Sequence, residues 1–128
     1  MESKLIQIVE DDADLALALG IRLRANGYSV VTSQDSITAV TTAKNSTPDL
    51  IILDLGLPGG DGFVFLSRLR SLMHLALIPV IVLTARGADS EVKALQAGAR
   101  AFFQKPADHD ALLAAVADLL APATPAIG

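Results

Sequence analysis

Residues 50–62 read LIILDLGLPGGDG, and the first five of them decide the fold. Leu50, Ile51, Ile52 and Leu53 are four large apolar residues in a row, preceded by a turn-forming segment at 45–49 and followed at once by Asp54. A run so short and so uniformly apolar reads as a strand buried on both faces, the kind found inside a parallel sheet. The glycine- and proline-rich residues behind Asp54 are loop. Phe63, Leu66, Leu69 and Met73 then recur at helical spacing, so the unit is a strand, an acid at its carboxyl end, a loop and an amphipathic helix.

The same unit repeats in both directions. Towards the N-terminus, LIQIV at residues 5–9 is a strand that runs into Glu10, Asp11 and Asp12. A helix with Leu15, Leu19 and Leu23 follows, capped by Asp12 or Asp14 and stopped by Asn26-Gly27. Residues 28–32 form a second strand, and 36–44 a weak helix because its β-branched threonines and valines resist helical rotamers. Towards the C-terminus, residues 79–83 (PVIVL) form a strand closed by Thr84. A helix carrying Val92 and Leu95 ends at Gly98, and residues 101–104 form a strand closed by Lys105-Pro106. The last helix packs Leu112, Val116 and Leu119 or Leu120 and stops at Pro122. Five strands alternating with five helices predict an α/β fold, a doubly wound sheet that is mainly parallel, because each parallel return requires a crossover of helical length.

Composition narrows the function. A chain of 128 residues holds one core, placed here in residues 1–121, with 122–128 a flexible C-terminal tail. Apolar residues make up 52% of the chain and charged residues 19%, which suits strands covered on both faces. With no cysteine there is neither a disulfide nor a thiolate metal site. The formal net charge is −4 and the Lys and Arg residues are scattered, so direct nucleic acid binding is not expected. No apolar run reaches the length of a membrane span or a signal peptide, so a cytoplasmic location and protein partners are expected.

Ligands of doubly wound sheets bind outside the carboxyl ends of the strands, and that edge is where the unusual residues fall. Strand one ends in Glu10-Asp11, strand three in Asp54, strand four in Thr84 and strand five in Lys105. Three carboxylates brought together repel unless a cation joins them, and a hard divalent ion with oxygen ligands suits them. With Mg2+ at +2 and Lys105 at +1 the three negative charges are balanced, so an anionic phosphoryl group can approach. Taken singly, each residue is ordinary: acids after a strand cap helices, Thr favours strands, and an X-Pro pair marks a loop.

Together, the acidic pair, the stretch DLGLPGGDG, Thr84-Ala85 and Lys105-Pro106 resemble the receiver domains of two-component response regulators, over residues 4 to 120. The resemblance implies a flavodoxin-like five-stranded parallel sheet in the order 2-1-3-4-5 with five flanking helices. It implies that Asp54 is the site of phosphorylation, and that Asp11 and Asp54 contact magnesium directly. The Gly56 carbonyl would be a further metal ligand, and Glu10 would act largely through a water. Thr84 and Lys105 would bind the phosphoryl group as catalytic partners, with the Lys105-Pro106 peptide bond cis. Phe102 would be an aromatic switch residue that follows Thr84. Adjacent Phe103 faces the other way, so one of the two is expected to be more exposed. Asp12 reads as a helix cap, and His74 and His109 as surface residues.

The implied partners are a histidine kinase or histidine phosphotransfer protein, and a downstream protein effector read by the face of the fourth helix, fifth strand and fifth helix. Such a module catalyses its own phosphorylation and dephosphorylation without being a dedicated enzyme. The last helix carries Asp108, Asp110 and Asp118 and no Lys or Arg, which argues against a charge-paired dimer face. Gly56 and Arg86 lie two residues beyond Asp54 and Thr84, at the rim. Gly56 is expected to leave the phosphoryl group open, and Arg86 to cover it in part. Other readings stay open: an interaction module that is never phosphorylated, or a receiver cut from a longer regulator or hybrid kinase. A haloacid-dehalogenase-type hydrolase would need DxD after its first strand and more chain. A cobalamin-binding domain would need a histidine between Asp54 and Gly62, where there is none.

Overall fold

In a computed structural model, residues 3–58 and 61–121 are described. The expectations for Pro122 and for the tail at 122–128 lie outside them. The chain runs β1 (Leu5–Val9), α1 (Ala13–Ala25), β2 (Ser29–Ser33), α2 (Ser36–Ser46), β3 (Leu50–Leu53), α3 (Gly62–Ser71), β4 (Val80–Thr84), α4 (Ala88–Gln96), β5 (Ala101–Gln104) and α5 (His109–Leu120). All pairings are parallel, and the sheet order is β2-β1-β3-β4-β5. Every residue of β3 and β4 is buried, as the unbroken apolar runs predict, while the edge strands β2 and β5 are only half-covered.

Side chains alternate between two cores. Val9, Ile51, Leu53, Val80 and Val82 face α2, α3 and α4, where Phe65, Leu66 and Leu69 meet them. Ile6, Ile8, Ile52, Ile81 and Leu83 face α1 and α5, against Leu19, Leu23, Leu112 and Val116. Those that are fully buried each contribute about 1.5–3 kcal/mol relative to exposure. Gln7 breaks the apolar run of β1 yet is wholly buried, because its Nε2 donates to Ser33 Oγ at 3.1 Å and to the Ala39 carbonyl at 3.0 Å.

Several helix expectations are corrected. The β2 strand begins at Ser29, one residue late, because Tyr28 packs beneath α1 with its N–H on the Leu23 carbonyl. The α2 helix runs through Asn45 and Ser46 before the left-handed Thr47 stops it, so the expected turn at 45–49 starts later. Met73 lies beyond the end of α3 and is 90% exposed, and Phe65 holds the core position instead. The helix carrying Val92 and Leu95 is α4, yet both of these side chains are exposed and α4 buries only Ala94. Thr84 is the last residue of β4 itself.

Arg70, on α3, fastens the far edge of this half of the domain. Its guanidinium donates to the carbonyls of Ala76, Ile78 and Gly98 at 2.6, 3.2 and 2.7 Å, so one side chain holds both the α3–β4 segment and the turn after α4. Gly98, at φ +107, leaves room for it: a Cβ there would lie 2.7 Å from Arg70 Nε. Arg70→Met keeps the stem and removes the donors, and should lower unfolding stability by about 2 kcal/mol. Urea unfolding checks this, and a midpoint equal to that of wild type would show the brace to be dispensable.

Candidate functional site

Backbone pairing continues one residue past three of the strands, which fixes where the site residues start. The N–H of Glu10 bonds the Ser33 carbonyl at 2.9 Å, that of Asp54 bonds Val9 at 3.0 Å, and that of Lys105 bonds Thr84 at 2.7 Å. Glu10, Asp54 and Lys105 therefore enter one edge of the sheet from rigid supports. Lys105 Nζ donates to Glu10 Oε1 at 2.5 Å and to Asp54 Oδ2 at 3.1 Å, bridging strand ends that are 95 and 51 residues away in sequence. The two carboxylate side chains are only 6% and 10% exposed. The Lys105-Pro106 peptide bond is cis.

Each carboxylate is also tied locally. Asp54 Oδ1 accepts the Gly56 N–H at 3.1 Å, and Glu10 Oε2 accepts the Asp12 N–H at 3.2 Å. Asp12 points the other way and caps α1 by accepting the N–H groups of Asp14 and Leu15. Asp11 is exposed, and one oxygen from each of Glu10, Asp11 and Asp54 lies within 4.8 Å of the others.

Burial and neighbours pull the charges in opposite directions. Burial pushes the Asp54 carboxyl up, but the Gly56 N–H, the Thr84 hydroxyl and the Lys105 ammonium together hold it below the usual range, so it is an anion at neutral pH. For Glu10, burial outweighs Lys105 and the Asp12 N–H, and with the nearby charge of Asp54 it leaves the carboxyl raised. Burial disfavours the Lys105 cation, yet its two carboxylate partners raise its pKa and keep it charged.

Three carboxylates against one ammonium leave a net −2, with oxygen donors alone. The donor set fits a hard divalent cation and no soft one. Thr84, at 1% exposure, closes the fourth side. Its strand pairs Val82 with Phe102 and Thr84 with Gln104, so Thr84 and Phe102 lie on one face of the sheet as diagonal neighbours. Phe102 packs on the core under α2, α3 and α4, and Phe103 on the core under α1 and α5. Both rings are half-buried, one on each face of the edge strand.

The family model for the response regulator receiver domain matches residues 6–117. The chain belongs to this family. The receiver domain is 37% identical to the transcriptional regulatory protein GlrR of Escherichia coli, over 93% of this chain and 27% of that protein. It is 40% identical to KdpE of Mycobacterium tuberculosis, over 86% of this chain and 48% of that protein. It therefore spans about a quarter to a half of the curated relatives it matches. Among solved structures, the non-phosphorylated HemR receiver domain of Leptospira biflexa superposes with a TM-score of 0.85 at 28% identity, covering 98% of this chain and 100% of that one. The beryllofluoride-activated receiver domain of Klebsiella pneumoniae RstA gives 0.86 at 28% identity, covering 93% and 100%.

Two residues of this receiver domain carry more than their sequence suggested. Asp61, in the DGF stretch, reads only as a helix start, yet its second oxygen pairs with Arg86 Nη1 at 2.9 Å. The Arg86 guanidinium, expected to cover the phosphoryl group in part, pairs here with a carboxylate at the start of α3. Gly62 has its N–H on the Leu55 carbonyl at 2.8 Å, and its Cα hydrogens lie against the backbone of Asp54 and Leu55. No sequence pattern short of the tertiary contact announces either role. Among the described residues no helix is long and apolar enough to cross a membrane.

Proposed function

We propose that this receiver domain, as one unit over residues 1–121, accepts a phosphoryl group on Asp54 from a histidine kinase or histidine phosphotransfer protein in the cytoplasm. The observation that carries this reading is Lys105 Nζ held between Glu10 and Asp54, beside three carboxylates whose oxygens converge within 4.8 Å. Asp11 also lines an open groove with Gln34, Asp35, Ile37, Thr38 and Pro58.

Asp54 is the nucleophile. Its carboxylate oxygen forms a bond to phosphorus as the bond from phosphorus to the donor imidazole nitrogen breaks, and the imidazole takes a proton from solvent. The product is an acyl phosphate, which water returns to carboxylate and inorganic phosphate. Such transfer proceeds through a loose transition state, so catalysis consists mainly of positioning and charge neutralisation. Lys105 supplies a fixed cation at the Asp54 carboxylate, and the Gly56 N–H holds the other oxygen in place. Glu10, Asp11, Asp54 and the Gly56 carbonyl would hold magnesium, which supplies Lewis-acid neutralisation of the incoming oxygens. Thr84 bonds the transferred group, and Phe102 follows on the same sheet face to change the α4, β5 and α5 surface read by a protein effector. The domain is a phosphoacceptor rather than a dedicated enzyme.

Incubation with acetyl phosphate and magnesium, followed by intact mass, tests this reading. Wild type should gain one phosphoryl group and Asp54→Asn none. A gain retained in the variant, or absent from wild type, overturns it.

A further inference from the structure

The ion pair between the β4–α4 loop and the start of α3 plays no part in the chemistry above. Asp61 divides its two oxygens: Oδ1 accepts the Phe63 N–H at 3.0 Å and caps α3, while Oδ2 accepts Arg86 Nη1 at 2.9 Å. Both partners are one step from the phosphoacceptor. Asp61 adjoins Gly62, whose position a Cβ would bring within 2.7 Å of the Asp54 carbonyl oxygen. The Arg86 N–H reaches Thr84 Oγ1 at 3.4 Å. The pair itself is 40% and 38% exposed, and pairs so placed contribute at most about a few tenths to 1 kcal/mol. Asp61 thus holds the guanidinium weakly enough to lose it to a stronger anion.

Taking phosphorylation of Asp54 as read above, we propose that Asp61 is a positioning residue that holds Arg86 away from the phosphoryl group and so sets the lifetime of the acyl phosphate. A phosphoryl group with about two negative charges and three acceptor oxygens competes with the Asp61 carboxylate for the guanidinium fork. The long contact from the Arg86 N–H to Thr84 is surrendered when the hydroxyl turns to the phosphoryl oxygens, which frees the loop to follow. Hydrolysis forms a bond from water oxygen to phosphorus and breaks the bond from phosphorus to the Asp54 oxygen, releasing phosphate and one proton. A guanidinium on the outer phosphoryl oxygens obstructs that attack; while Asp61 keeps it, water has access.

Asp61→Asn tests the assignment, since Asn preserves the helix cap and the shape while removing the charge. After removal of acetyl phosphate, decay of the phosphorylated form is followed by intact mass. The variant should live about threefold to fivefold longer than wild type, the range expected from releasing a surface ion pair. In an Arg86→Ala background the same change should have no effect. As a second readout, the Arg86 Nε–H resonance of wild type should move when beryllofluoride and magnesium are added, which a purely capping role for Asp61 would not produce. An unaltered lifetime in Asp61→Asn, a gain that persists without Arg86, or an unmoved Arg86 resonance overturns this role alone. Failure of wild type to take up any phosphoryl group overturns the Asp54 reading and this role with it.

Discussion

Lys105→Met should make the stability of the domain depend on magnesium. In EDTA the variant is expected to lose about 3 kcal/mol, because two buried carboxylates, Glu10 and Asp54, are left without the cation that bridges them. For a chain of this size that is a fall in Tm of about 10 °C. Millimolar magnesium should recover much of the loss by binding the same oxygens, so that the variant gains more from the ion than wild type does. The deficit should also shrink on acidification. A carboxyl with a raised folded pKa, such as Glu10, favours the folded state at acid pH and withdraws that contribution as pH rises through the raised value. Phosphoryl uptake from acetyl phosphate should fall by about 10²-fold or more even with magnesium, since a preorganised cation is missing from the transition state. Thermal melts in EDTA and in magnesium at two pH values decide the matter; identical melting of variant and wild type in EDTA would remove Lys105 from the centre of the site.

Gly62→Ala should be comparably severe, although it adds one methyl group and touches no charge. The Cβ would stand 2.6 Å from Leu55 Cα and 2.7 Å from the Asp54 carbonyl oxygen. Both obstacles are backbone, so no rotamer change relieves the overlap, and either α3 or the segment behind β3 must shift. The expected cost is about 3 kcal/mol, at the upper end for overpacking. Because the displaced segment carries Asp54 and the Gly56 N–H that orients it, phosphorylation should slow as well. Gly56→Ala is the control, as its Cβ would meet nothing nearer than Asp54 Oδ1 at 3.9 Å and should leave stability within about 0.5 kcal/mol of wild type. Equal stability of Gly62→Ala and Gly56→Ala in urea would refute the close-packing account.

Local sequence determined the strands and their ends. LIIL and PVIVL are uniformly apolar and LIQIV nearly so, which suits them to a covered sheet, and each run ends abruptly in a charged or hydroxyl residue. Glu10, Asp11, Asp54, Thr84 and Lys105 were legible for that reason. The cap at Asp12 and the stop at Gly27, with φ +92, are local backbone chemistry and were legible too.

Only the tertiary structure decided the rest. Helical spacing cannot tell which apolar stripe faces the sheet, and α4 buries Ala94 and leaves Val92 and Leu95 outside. The bridge from Lys105 to Glu10 spans 95 residues, the Asp61–Arg86 pair 25, and Gly62 matters through atoms of a neighbouring loop. These interactions depend on distances between separate strand ends, which sheet order and register set and which no single segment encodes.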